Sequence, residues 1–213
     1  MFAQDMIFRV PALLLAITVH EYAHGKMADR LGDPTPRYAG RLTLNPLAHL
    51  DPLGLLMLWL FRFGWAKPVP INPIHFRNRR QGLVLVSLAG PAANIITAFI
   101  ILLLLQLWPG TGLITQQILS LAFIYNLYLA VFNLLPLPPL DGSKILQGIL
   151  PGPQAYAYSQ LEVYGPIILI VLIYFGVVGK ILYPVVSFLA RILEVLSHGL
   201  VFGLLYRFLF KFW

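Results

Sequence analysis

Cysteine is absent from this chain of 213 residues. Disulfides and thiolate metal sites are thereby excluded, and any metal must be held by His and carboxylate side chains. Charge is also scarce: Asp, Glu, Lys and Arg make up 11% of the residues, against about 25% in a soluble domain. That scarcity excludes an ordinary soluble domain and a charged, disordered chain. What remains is apolar. Hydrophobic residues make up 59%, and the mean hydropathy is +0.79. A spanning helix needs about 20 residues, so the length predicts about five to six membrane helices with short loops. The expected fold class is an all-α polytopic membrane protein with a small β-hairpin or loop insert. Residues 1–213 are expected to form one membrane-embedded domain, with a core over about 5–150 and C-terminal helices over 161–213.

The net charge of +7 is unevenly placed. Nine of the fifteen Lys and Arg lie between Lys26 and Arg80, with only Asp29, Asp33 and Asp51 to offset them. No basic residue occurs from Gln81 to Gly142. This is the bias of a positive-inside topology, and Lys/Arg do not interleave with aromatics as a nucleic-acid surface requires. No nucleic-acid partner is expected. The uncharged loop 109–114 is placed outside and the basic stretch 26–81 in the cytoplasm.

Along the chain, a first helix is expected from about Asp5 to Leu31, ended by Gly32-Asp33-Pro34. Arg41-Leu42-Thr43-Leu44 alternates like a short strand. Residues 52–63 are apolar but too short for a normal span, which predicts a re-entrant or interfacial helix with Asp51 as its N-cap. The prolines of 64–73 exclude a helix, and the alternation there suits an edge strand. Spans follow at Gly82–Trp108, Thr115–Leu135 and Leu161–Val178, with a short helix at Ser143–Leu150. Residues 183–212 are apolar and partly interfacial.

The sharpest feature is His20-Glu21-Tyr22-Ala23-His24, an HExxH sequence. Two His at i and i+4 are offset by only about 40° around a helix, so their imidazoles can converge on one zinc. Glu21 lies between them, placed to act as general base on a metal-activated water. An incidental surface motif is a poor alternative, because ionisable groups next to an apolar span are costly and functional by default. A catalytic zinc takes three protein ligands. Candidates for the third are Asp141, Asp51, His49, His75 and Glu162. Asp141 has the strongest case, as the only charged residue in 81–143. It ends a proline-broken span at a depth similar to that of His20. His49 and Asp51 read as a polar turn and a cap, and His75 as an interfacial loop residue.

These residues, with Gly90-Pro91-Ala92-Ala93-Asn94 and Asn133…Leu140-Asp141-Gly142, resemble the site-2 protease family of intramembrane zinc metalloproteases. The likeness covers about Val19 to Leu146. Members carry HExxH on one membrane helix, an LDG aspartate on another and a G-P-x-x-N segment between them. The resemblance implies one Zn2+ per chain held by His20, His24 and Asp141, with Glu21 activating water. It implies that Asn133 stabilises the oxyanion or orients substrate. No PDZ-like domain or CBS pair is expected, which makes this a minimal prokaryotic form. Asn94 is expected to line the polar route to the site, although interhelical bonding is the plain alternative, as close packing is for Gly90. A helical substrate must unwind before cleavage. Ala66, Lys67, Pro68, Val69, Pro70, Ile71 and Asn72 form the candidate edge strand for its capture.

The expected activity is zinc-dependent endopeptidase cleavage of membrane-spanning or membrane-anchored proteins, with the site toward the cytoplasmic side of the inner membrane. Partners are those substrates and the lipid bilayer; homo-oligomerisation is left open. A transporter or channel with a buried metal or proton site is the alternative from another class. It is disfavoured by Glu21 between the two His and by the absence of an internal repeat.

Overall fold

The computed structural model describes residues 2–54, 57, 66–110 and 112–210. The apolar segment 52–63 therefore lies largely outside the described residues. Eight α-helices are described here: α1 (Phe2–Arg30), α2 (Thr35–Tyr38), α3 (Arg79–Leu107), α4 (Leu113–Asn133), α5 (Asp141–Ile149), α6 (Gly152–Ser159), α7 (Gly165–Tyr174) and α8 (Val177–Phe210). Among the described residues, α3, α4 and the Val177–Phe202 part of α8 are long and apolar enough to cross a membrane. Gly152–Val163 and Gly165–Tyr174, bent by 66°, bring the number to at most four. This is an α-helical integral membrane protein.

Five to six spans were expected, and two elements among the described residues depart from that expectation. The second half of α1 carries His20, Glu21, His24, Lys26, Asp29 and Arg30, which lower its apolarity. The expected single helix 161–178 is broken instead. Gly165 seats against Pro138, where an added Cβ would lie 2.4 Å from the Pro138 carbonyl oxygen. Pro166 then opens α7 at its first turn.

Helices α1, α3 and α4 pack against one another, α5 lies on α3, and α8 lies on α3 and α4. Small residues hold these contacts: Ala12, Ala16, Ala98 and Ala130 have no exposed surface. Backbones approach closely there, which is how helices associate where lipid removes the hydrophobic drive. Ile96, Ile100, Phe188 and Leu196 remain exposed on the outer faces, as hydrocarbon contact requires.

The end of α1 was legible in the sequence. Gly32 adopts φ +100°. The Gly32 N–H donates to the Asp29 carbonyl and the Asp33 N–H to the Ala28 carbonyl. This pair of bonds is a Schellman stop, which needs a residue free to adopt positive φ. Asp51 caps as expected, accepting from the Gly54 N–H at 2.9 Å. The β-hairpin does not form among the described residues. One isolated antiparallel bridge, Leu50 with Ala66, stands in its place. Pro68, Pro70 and Pro73 lack the N–H a ladder needs. Arg41 takes over the organising role, with its guanidinium donating to the carbonyls of Ala48, Lys67 and Pro68.

Asp33 joins this insert to α1. Fully buried, it accepts from the Thr35 N–H at 3.0 Å, the Asn72 N–H at 2.7 Å and the His75 ring at 3.1 Å. Burial alone would push its carboxyl up. The bonds from Thr35, Asn72 and His75 outweigh that and hold it below the ordinary carboxylate value. A lowered folded pKa stabilises above the unfolded value and is lost as pH falls through the folded one. Asp33→Asn turns an NH2 against a donor, so it should cost about 1–3 kcal/mol. Thermal unfolding in detergent checks this: the wild type should lose stability below about pH 4, and the variant should start lower and lose less over that range.

Candidate metal centre

The His pair sits on α1 one turn apart, and α1 brings it against α3 and the start of α5. Asp141 occupies the first turn of α5 because the proline-rich turn before it folds back tightly. The Ser143 hydroxyl donates to the Leu140 carbonyl at 2.7 Å. Gly142 lets the turn close, since a Cβ there would lie 2.3 Å from the Leu134 carbonyl oxygen. His20 Nε2 and His24 Nε2 stand 3.1 and 3.0 Å from Asp141 Oδ2. The two Nε2 atoms are 2.9 Å apart. All three residues are buried.

The outer ring nitrogens are already engaged. His24 Nδ1–H donates to the Val86 carbonyl at 2.7 Å, and His20 Nδ1–H donates to Asn94 Oδ1 at 2.6 Å. Both rings therefore turn Nε2 lone pairs toward each other and toward a carboxylate. Three electron-rich atoms at this separation repel unless a proton or a metal cation lies among them. Ligands on a tetrahedral zinc with bonds near 2.0–2.1 Å lie about 3.3 Å apart, so the cluster needs only a few tenths of an ångström of expansion. Two imidazoles and a carboxylate with bonded outer nitrogens are the donor set of a zinc centre.

Gly90 on α3 makes this approach feasible. A Cβ there would lie 2.5 Å from His24 Nε2 and 2.7 Å from His20 Cε1. Close packing was the plain reading of Gly90. What it packs against is the imidazole pair.

The other expected residues fall differently. Glu21 sits beside the cluster, and its Oε2 accepts from the Val69 N–H at 2.9 Å. The segment 66–72 thus does lie at the site, but several of its backbone groups are taken. Val69 is held by Glu21, Asn72 by Asp33, and the Lys67 N–H by the His49 carbonyl. Asn94, expected among lining groups, is fully buried behind His20. The Asn133 amide donates to the Leu129 carbonyl at 3.0 Å, one turn back on its own helix, and not to the cluster. Of the rejected ligand candidates, His49 is buried and donates to the Thr43 carbonyl at 2.9 Å. His75 pairs with Asp33, and Asp51 is a cap. The Val86 carbonyl was not anticipated, because a backbone acceptor leaves no signal in residue type.

A His–His–Asp cluster with an adjacent glutamate, set among apolar helices, is the arrangement a membrane zinc metalloprotease needs. Comparison with known proteins agrees. The profile of peptidase family M50 matches residues 111–173, which include Asp141. YwhC of Bacillus subtilis, whose name describes a zinc metalloprotease, is 40% identical over 190 residues, covering 85% of this chain and 87% of its own. Rip2 of Mycolicibacterium smegmatis, similarly named, is 34% identical over 174 residues, covering 78% of this chain and 66% of its own. MJ0611 of Methanocaldococcus jannaschii, also named as a zinc metalloprotease, is 43% identical over 63 residues, 29% of this chain and 32% of its own. No solved structure matches. The chain belongs to peptidase family M50, the site-2 proteases, and is a zinc metalloendopeptidase.

Gly90→Ala should therefore lower zinc affinity at least about tenfold by displacing the imidazoles. Metal analysis of the purified variant beside wild type checks this, and full zinc loading at equal chelator would contradict it.

Proposed function

We propose that this protein cleaves peptide bonds within or near the transmembrane segments of other membrane proteins, as in regulated intramembrane proteolysis. One observation carries the reading: the buried His20–His24–Asp141 cluster lies where α1 and α5 meet the membrane-capable α3. A scissile bond must therefore be brought into a helix bundle. We place the site toward the cytoplasmic side of the inner membrane, because Arg37, Arg77, Arg79 and Arg80 stand exposed near that end of the bundle.

His20, His24 and Asp141 hold the metal in this reading. When bound, zinc supplies Lewis-acid polarisation of the scissile carbonyl and an acidified water. Glu21 takes the proton from the attacking water and delivers it to the leaving amine. The Val69 N–H holds Glu21 Oε2 and orients the carboxylate, leaving the second oxygen for the proton. Asn133 can serve the oxyanion by exchanging its bond to the Leu129 carbonyl for one to substrate.

Residues Ala66–Asn72 would receive the unwound substrate. Their prolines and internal bonds leave the Ile71 N–H and the carbonyls of Val69, Pro70 and Ile71 without a partner among the described residues. Those groups lie next to Glu21 and suit pairing with an extended peptide. Asn94 supports the metal centre in this scheme and does not meet substrate.

Glu21→Gln separates a protease from a metal-binding transporter. The variant should keep one zinc per chain and lose about 10²- to 10⁴-fold in cleavage of a model membrane substrate. Unchanged cleavage, or a wild-type protein without zinc, would overturn the reading. Photocrosslinkers placed at 66–72 in the same variant should capture the substrate.

A further inference from the structure

His20 can offer Nε2 to a metal only when its proton sits on Nδ1, and an imidazole does not fix that tautomer alone. Asn94 Oδ1 faces Nδ1. Turned over, the same amide would present its NH2 and drive the proton to Nε2. The other end of the amide decides between these faces. Asn94 Nδ2 donates to the Ala16 carbonyl at 2.9 Å and to Asn126 Oδ1 at 2.7 Å. Asn126 Nδ2 donates in turn to the Ala122 carbonyl at 2.7 Å. Backbone carbonyls only accept, so the run has one polarity. The Ala122 carbonyl sets Asn126, Asn126 and Ala16 set Asn94, and Asn94 sets His20. Both asparagines are fully buried. Asn126 lies midway along α4, a helix that supplies none of the three metal-binding side chains. A buried amide in an apolar span is costly unless fully bonded, and here its bonds lead to the site.

We propose that Asn126 is a positioning residue for the metal centre, acting through Asn94 to hold His20 with Nε2 toward the metal. The inference rests on the zinc-protease reading above and adds a dependence of metal affinity on a residue in contact with no ligand. Outer partners of a metal-binding His tune affinity by about 10- to 100-fold.

The test is a set of zinc dissociation constants, measured in detergent by competition with a chromophoric chelator. Wild type, Asn94→Leu, Asn126→Leu, Asn126→Ser and the Asn94→Leu/Asn126→Leu double variant are compared, with thermal unfolding of each. Asn94→Leu should weaken binding about 10- to 100-fold, and Asn126→Leu about tenfold. The double variant should bind no more weakly than Asn94→Leu, because a relay with a broken link has nothing further to lose. Asn126→Ser keeps one acceptor for Asn94 and one donor for the Ala122 carbonyl, and should stay within about threefold of wild type. If Asn126→Leu does not fold, Asn126→Ala replaces it with the same expectation. Wild-type affinity in the Asn126 variant, or losses that multiply in the double variant, would overturn the relay. A wild type that binds no zinc would instead strike the protease reading.

Discussion

Two imidazole nitrogens and a carboxylate oxygen held 2.9–3.1 Å apart are the constraint on which the rest of this structure depends. Groups of that kind repel and are costly among apolar helices. Each must be pinned from behind and pressed together from the side. Val86 and Asn94 do the pinning on α3, and Gly90 on the same helix leaves the space. The proline-broken turn after α4 and the glycine after Asp141 deliver the carboxylate. The alanine contacts among α1, α3 and α4 follow from the same need, because the backbones must lie close for these bonds to form.

Much of this was legible in the chain. The apolar runs gave α3 and α4 to within a few residues, since a span of about 20 apolar residues has no other stable state in lipid. The Gly32 stop and the Asp51 cap were readable because each rests on local backbone chemistry. The three clustered side chains were readable because HExxH fixes two of them by helical period, and Asp141 is conspicuous in a stretch without other charge.

Less was legible where non-local contacts decide. The break in 160–174 depends on Gly165 meeting Pro138, residues distant in sequence. The insert reads as strands by alternation, yet its prolines starve a ladder and Arg41 binds the carbonyls instead. Segment 66–72 meets Glu21 through Val69. That its Val69 N–H would rest on Glu21 could not be read from residue type. Asn94 and Asn133 were both marked as polar groups in apolar helices. Their partners, His20 for one and the Leu129 carbonyl for the other, depend on which way each helix is turned.

The sequence by itself determined the setting and the chemistry. A cysteine-free, charge-poor chain can hold a metal only with His and carboxylate, and helical spacing aims His20 and His24 at one point. Tertiary structure decided how the turn before Asp141 brings it to them, which nitrogen each ring presents, and how closely α3 may approach. Those outcomes depend on backbone carbonyls, amide orientation and a missing Cβ. These are features of three-dimensional placement that leave no periodicity or composition to read.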